Sequence, residues 1–444
     1  MFQKIRLLLK NILVSEIFRR TLQVSLLAAF VKLITFFKDI YVVNNFAFGK
    51  ELDAFFIALV IPQFILSVFT SSINSIVIPN YTREEKINQT GLGSFTYTTM
   101  LISISISFIL SIFCIFNYST INSLFSYSSN KLQFEEITKV HFYYLVPSVL
   151  LSTISSSIGA LLNSKNKYLA TSLTPLYPIL FTIIGLYFFK ENMGIYALSI
   201  GFTIGYAFEL FTMIFVFRLE KFPFTLKFKL TKSIKTLLTQ ALHKISASLF
   251  SAFIPIVNQI FAVRQSEGSV SIIAYAQKVP LFINMILTMS LGVTFLPYFT
   301  KKVSLALKYG RNEYIRLLTL LFITSAAICI TPILFSETIV KLLFSRGKIN
   351  IDNLILVNNL QKIYFIQIPF YLIAIVSVRL LTALNKNSKS LYASIASMIL
   401  IFSLNYILEN PMGIYGIAMA TLGATMCNML INVWFSVKSL SVVK

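Results

Sequence analysis

Four sets of residues in this chain occur twice, in the same order and about 220 positions apart, within strongly apolar sequence. Met193-Gly194-Ile195-Tyr196-Ala197 returns as Met412-Gly413-Ile414-Tyr415-Gly416, an offset of 219. Pro62 and Pro79 return as Pro280 and Pro297, offset 218, and each pair is followed by a similar run, Asn80-Tyr81-Thr82-Arg83 and Tyr298-Phe299-Thr300-Lys301. Pro147 with Leu162-Asn163 returns as Pro369 with Leu384-Asn385, offset 222. A shared order at a nearly constant offset implies an internal duplication. In apolar sequence that means a duplicated membrane domain, an architecture that places a substrate site between its halves.

Hydrophobic residues make up 56% of the chain and charged residues 12%, with mean hydropathy +0.78. A typical soluble protein is about 25% charged. The apolar runs are continuous rather than alternating, which excludes an outer-membrane barrel and leaves an all-α polytopic membrane protein. A spanning helix takes about 20 apolar residues. That rule predicts twelve spans, at 21–46, 52–80, 93–117, 138–163, 168–189, 194–218, 237–263, 269–299, 314–336, 359–384, 390–408 and 412–436. The expected organisation is a basic N-terminal segment (1–20), a six-helix lobe (21–218), a basic linker (219–236), a second six-helix lobe (237–436) and a tail (437–444). Six spans per half is an even number, so the repeats are parallel.

The net charge of +22 reflects topology rather than nucleic-acid binding. With the N-terminus inside, the cytoplasmic segments hold 24 Lys and Arg against nine on the other side, which predicts both termini in the cytoplasm of a bacterial inner membrane. The linker from Arg218 to Lys235 alternates Phe222, Phe224, Leu226 and Phe228 with basic residues. It reads as a tether between halves or as a lipid- or partner-binding segment. Cys114, Cys329 and Cys427 lie in apolar runs without metal-ligand spacing, and His141 and His243 are isolated. No cofactor, metal site, catalytic set or nucleic-acid partner is expected; the expected partners are membrane lipids and a membrane-borne substrate.

A charge at the bilayer centre costs at least about 2.5–3.5 kcal/mol, so each one needs a reason. Within the predicted spans stand Lys32, Lys38, Lys244, Lys278 and Arg379, with the acids Asp39 and Glu209, and Asp53 at a span edge. Lys32 lies about eleven residues, or about 16 Å, into the first span, near the midplane. Asp39 is seven residues further on and shares its face. Lys278 is near mid-depth in the eighth span and corresponds to Val60 of the first repeat, so only one repeat carries this charge. Lys244 and Arg379 lie near cytoplasmic ends, where their stems can snorkel. The acids of the second half (Glu267, Glu313, Glu337, Asp352, Glu409) are all expected in loops. A bundle lined with ammonium groups favours an anion, and phosphate or pyrophosphate is the expected chemistry. The serines and threonines at 71–75 and 151–157 are expected to pack helices closely, and Pro62, Pro147, Pro280 and Pro369 to kink them.

The stretch Lys32, Lys38-Asp39, Phe48-Gly49, Asp53-Ala54-Phe55-Phe56, Ala58, Pro62 and Pro79 resembles the opening of the MviN-like lipid II flippases, members of the multidrug/oligosaccharidyl-lipid/polysaccharide exporter superfamily. Gly268-Ser269-Val270-Ser271 through Tyr275-Ala276-Gln277-Lys278 resembles the family's eighth helix, where a cavity arginine is usual. Lys32, Lys38 and Lys278 stand where the family commonly has arginine. Leu66 and Ser67 replace an expected basic pair, and the family's extra pair of C-terminal helices is missing from a twelve-span chain. The resemblance implies a flippase for a polyprenyl-pyrophosphate-linked glycan, either lipid II or another cell-surface precursor, working by alternating access beside glycan-assembly enzymes. It implies a cavity lined by the first, second, seventh and eighth spans. Lys32, Lys38, Asp39 and Lys278 would contact substrate, and Asp53, Glu209, Lys244 and Arg379 would serve the cavity or coupling. The rival readings are a cation-coupled drug or metabolite antiporter of the same superfold, which needs a functional Glu209 or Asp39, and a non-transporting scaffold.

Overall fold

The structure, a computed structural model, describes residues 16–87, 89–125, 131–304, 311–345, 349–384 and 386–441. Among these residues all regular structure is helical. In chain order the helices are α1 (Glu16–Phe46), α2 (Lys50–Ile87), α3 (Leu92–Phe116), α4 (Tyr118–Ser123), α5 (Lys131–Ser164), α6 (Tyr168–Leu173), α7 (Leu176–Met193) and α8 (Tyr196–Leu219). The second half contributes α9 (Lys232–Ala262), α10 (Ser269–Ala276), α11 (Lys278–Ser304), α12 (Arg311–Leu334), α13 (Ser336–Phe344), α14 (Ile351–Ala383), α15 (Asn387–Met412) and α16 (Ile414–Ser441).

Among the described residues ten segments are long and apolar enough to cross a membrane. The two other expected spans, α1 and α9, are each 31 residues and long enough. In α1 the apolar run is interrupted by Lys32, Lys38 and Asp39, while α9 carries an uncharged run from Ile245 that extends to Val263 at its C-cap. Several helices exceed a bilayer. At about 1.5 Å per residue, the 38 residues of α2 run about 57 Å against a hydrocarbon core of about 30 Å. This overrun corrects one expectation. Glu313, Glu337 and Asp352 are not in loops but in the first turns of α12, α13 and α14, where carboxylates complement the helix dipole, and Glu409 lies in the last turn of α15. Glu267 alone of the five precedes its helix.

Within the first half α2 lies along α5, α5 along α8, and α8 along α7, with α3 on α5. Within the second, α14 is central, packed on α11, α12 and α16, with α15 along α16. Across the halves α2 meets α9 and α10, and α1 meets α11 and α13.

The duplication is visible in the backbone. Gly194 ends α7 with φ 55 and ψ −134, and Gly413 ends α15 with φ 55 and ψ −133. An L side chain rarely adopts this conformation, so glycine is retained in both copies. The α7–α8 contact is close for a related reason. A Cβ at Gly201 would stand 2.5 Å from the Phe181 carbonyl oxygen, and Gly201 with Gly205 forms the small-xxx-small spacing that lets membrane helices touch.

Pro62, Pro147 and Pro369 lie inside continuous helices. The eighth span runs as α10 followed by α11, with Pro280 in the first turn of α11. The irregularity between them falls at Gln277, whose backbone stays right-handed helical (φ −80, ψ −18) and keeps its bonds, Gln277 N to Ile273 O at 3.2 Å and Leu281 N to Gln277 O at 2.9 Å. Proline is tolerated there because the first-turn N–H has no intrahelical partner to lose. The hydroxyl-rich stretches behave as packing elements. Thr153 and Ser157 donate to backbone carbonyls one turn earlier, and Thr70 meets Ser156 across α2 and α5 at 3.1 Å.

Candidate functional site

Asp39 lies two turns before the end of α1, and its carboxylate is shared by two ammonium groups. Lys38 Nζ is 2.8 Å from Oδ1 and Lys278 Nζ is 2.6 Å from Oδ2. The Asp39 side chain is 7% exposed, the lysines 20% and 26%. Lys278 is the first residue of α11, just past Gln277. Tyr275, three residues earlier, donates its hydroxyl to the Asp39 carbonyl at 2.9 Å, and its ring lies 5.8 Å below Lys278 Nζ. Two ammonium groups around one carboxylate leave a net positive charge at a half-buried position. Lys32, exposed and seven residues earlier, adds to that field through its electrostatic interactions with Lys278, Asp39 and Lys38. The arrangement can bind an anion by exchanging one or both ammonium groups from Asp39 to the ligand.

Lys278 also lines a cavity of about 680 Å³, within the range of a small-ligand site. Its wall is largely apolar with amide groups interspersed, among them Gln63, Gln259, Gln277 and Asn284, and it includes no carboxylate among the described residues. The expectation that spans 1, 2, 7 and 8 line it needs correction. The lining comes from α2, α9, α10 and α11, but α14 contributes Tyr364, Gln367 and Tyr371, α16 contributes Thr421, and no described residue of α1 takes part. One face of α1, with Leu26, Phe30, Leu33 and Phe37, is left exposed.

Asp53 joins the two halves at the side where α1 turns into α2. Its Oδ2 accepts from Gly268 N at 2.8 Å and its Oδ1 from Ser271 N at 2.7 Å, capping the start of α10. Glu267 Oε1 in turn accepts from Lys50 N at 3.1 Å, at the start of α2. Asp53 and Ser271 are 218 positions apart, the offset of Pro62 and Pro280. The equivalent helix starts of the two repeats therefore cap each other. Phe48 packs edge-on to Tyr275 at 5.4 Å and closes the same seam.

The other candidates lie apart. Glu209 in α8 is buried, and Ser155 Oγ in α5 donates to it at 2.5 Å, away from the lysine group. Arg379 in α14 is half-buried, and its Nε is buried without a described partner. Lys244 belongs to α9, and its side chain, like that of His243, lies outside the described residues. His141 is not isolated: its Nδ1 is 2.7 Å from Ser199 Oγ, between the rings of Phe55 and Tyr196. Sequence reasoning missed Tyr275 and Glu267 as parts of the seam. The available signal was the offset of 218 linking Asp53 to a helix start at Ser271.

The model of the lipid II flippase MurJ family matches residues 42–444. A probable lipid II flippase MurJ of Aquifex aeolicus is 26% identical over 362 residues, covering 80% of this chain and 70% of the relative. A solved lipid II flippase MurJ in an inward closed conformation superposes with TM-score 0.79 at 21% identity, covering 95% of this chain and 90% of that one. An inward-facing multidrug resistance transporter of the MATE family superposes with TM-score 0.77 at 12% identity, covering 96% and 98%. The match over more than nine-tenths of the sequence means that this chain belongs to the lipid II flippase MurJ family and has the helical fold shared by MurJ and MATE transporters.

Proposed function

We propose that this chain carries lipid II, a polyprenyl-pyrophosphate-linked saccharide, across the bacterial inner membrane by alternating access, with both termini cytoplasmic. Residues 21–218 and 237–436 act as two rocking lobes joined by the linker 219–236. The observation that carries the reading is the Asp39 carboxylate held between Lys38 of one half and Lys278 of the other. An incoming pyrophosphate competes with Asp39 for these ammonium groups, with Lys32 adding attraction from the same helix. When the lobes rock, Asp39 recovers the lysines and releases the headgroup. The amide-bearing cavity wall offers donors and acceptors to the uncharged part of the cargo.

The capped seam at Asp53 closes one face while the cavity is loaded from the other. With the inside negative, export of an anionic headgroup is favoured by about 2.3 kcal/mol per charge per 100 mV. Efflux of cationic drugs would require acidic groups in the cavity, and its described lining has none. Enzymes that assemble the glycan on the cytoplasmic face are the expected neighbours.

The test is a mass spectrum of polyprenyl-linked lipids from cells depleted of this protein, repeated with Lys278→Ala supplied in trans. Accumulated lipid II that the wild type clears and Lys278→Ala does not, at equal protein level, supports the reading. A different accumulated glycan replaces the cargo. No accumulation, in cells without a second flippase, removes the function.

A further inference from the structure

The linker between the two halves carries features that substrate transport does not use. From Pro223 to Thr231 it forms no helix, and it is held on the start of α3 by Thr225 N donating to Gly93 O at 3.2 Å, Thr225 Oγ1 within 3.2 Å of Ser94 Oγ, Lys229 N donating to Thr98 Oγ1 at 3.2 Å, and one side of the Phe224 ring edge-on to Tyr97 at 5.7 Å. Phe222 is buried in an aromatic group with Tyr81 and Phe217. Beyond it the polarity of burial reverses. Phe224, Leu226, Phe228 and Leu230 are 45%, 78%, 56% and 50% exposed, and Lys227 and Lys229 between them are exposed as well.

No Asp or Glu occurs between Lys221 and Gln240, while Lys221, Lys227, Lys229, Lys232 and Lys235 do. None of these five lysines has an ion-pair partner among the described residues. The neighbouring loop adds Lys165, whose Nζ stands 4.7 Å over the Phe222 ring, and Lys167, which pairs with Glu220 at 2.9 Å. A tether needs only length and solubility. Four exposed large apolar side chains interleaved with unpaired lysines, at the end of a membrane-spanning bundle, are instead suited to the boundary between acyl chains and anionic headgroups.

We infer that residues 223–235 form a binding ledge for anionic phospholipid, with Phe224, Leu226, Phe228 and Leu230 entering the acyl region and Lys227, Lys229, Lys232 and Lys235 holding the phosphate groups. The charge complementarity and the membrane setting favour a lipid over a soluble protein partner. This inference does not depend on the identity of the transported substrate. Because the ledge is also the covalent link between the halves, lipid held there restrains their relative motion.

The test uses the full chain purified in detergent, with native mass spectrometry to count phosphatidylglycerol or phosphatidylcholine retained at equal added concentration. The wild type is expected to retain phosphatidylglycerol about tenfold over phosphatidylcholine. The variant with Lys227, Lys229, Lys232 and Lys235 all changed to Gln is expected to lose that preference, while its thermal unfolding and its rate in phosphatidylcholine proteoliposomes stay unchanged. A control changes Lys386, Lys389 and Lys438 to Gln, and should keep the preference. Equal loss in the control would show diffuse attraction to positive charge and overturn the ledge. Retained preference in the Lys227–Lys235 variant would overturn it as well, and so would a wild-type chain whose linker captures a soluble protein without any lipid preference.

Discussion

At the scale of single residues, the question is what Asp39 does for two lysines that are there to bind an anion. Its carboxylate lowers the cost of holding two ammonium groups close together in a half-buried site, and it competes with any ligand for them. Asp39→Asn removes the competitor. Bound headgroup should then be held at least about tenfold more tightly, since a unit charge at contact distance is worth a few kcal/mol at intermediate dielectric, and turnover should fall because release slows. Equilibrium binding of a soluble pyrophosphate lipid analogue, compared with the flipping rate in proteoliposomes, checks both; weaker binding would assign Asp39 to the substrate contact itself. Lys278→Arg keeps the charge and replaces a point-like ammonium with a planar fork that binds pyrophosphate bidentately, so activity should persist where Lys278→Ala abolishes it. Asp53 has a different role. Asp53→Ala leaves the Gly268 and Ser271 N–H groups without their carboxylate, and hydrogen bonds to a charged group contribute about 1.5–3 kcal/mol each. The seam should open, seen as faster labelling of a cysteine placed at Phe48, and a labelling rate equal to the parent's would refute the clamp. The individual charges were legible in the sequence because each is costly in apolar surroundings. Their partners were not, because Asp39 meets Lys278 across 239 positions of chain, a pairing that neither periodicity nor composition encodes.

At the scale of elements, the helices follow the hydropathy closely, because a membrane allows few alternatives to a continuous helix about 20 residues or longer. What hydropathy does not register is local backbone detail. The stretch 269–299 reads as one span with a kink at Pro280, and the irregularity falls at Gln277, three residues before the proline, within a helix that stays hydrogen-bonded. The cavity was misread for the same reason: α14 is as apolar as its neighbours, and only packing shows that its Gln367 and Tyr371 face the cavity. The glycine turns are the reverse case, since the repeated Met-Gly-Ile-Tyr marked them in advance. Gly194→Ala and Gly413→Ala should each destabilise the protein by about 1–3 kcal/mol, the cost of a side chain in a sparsely populated backbone region, and by similar amounts because the two conformations match. Thermal unfolding in detergent measures this, and a large cost at one glycine with none at the other would argue that the two turns do not play equivalent roles.

At the scale of the whole molecule, the duplication explains why a transporter of this kind can close on itself. Two copies of a helix start, facing each other across an approximate symmetry, each offer unpaired N–H groups and a nearby carboxylate, so capping is reciprocal: Asp53 on α10 and Glu267 on α2. Such a contact is strong when the starts meet and vanishes when they part, which suits a gate that must break in every cycle. It follows that a covalent link across this seam should stop transport without disturbing the fold of either half. Gly49 and Glu267 face each other there, a Cβ on Gly49 lying 3.8 Å from Glu267 Oε1, the far end of that side chain, so the shorter cysteine at 267 calls for a short spacer between the sulfurs. In a background with Cys114, Cys329 and Cys427 replaced by Ser, the pair Gly49→Cys and Glu267→Cys should be bridged by a short bis-methanethiosulfonate reagent. Flipping should fall to the level of empty vesicles and return on reduction, while each single cysteine variant should keep transport in the presence of the reagent. Full transport by the cross-linked protein would mean that the seam does not part during the cycle, and that rocking of the lobes about it is the wrong motion.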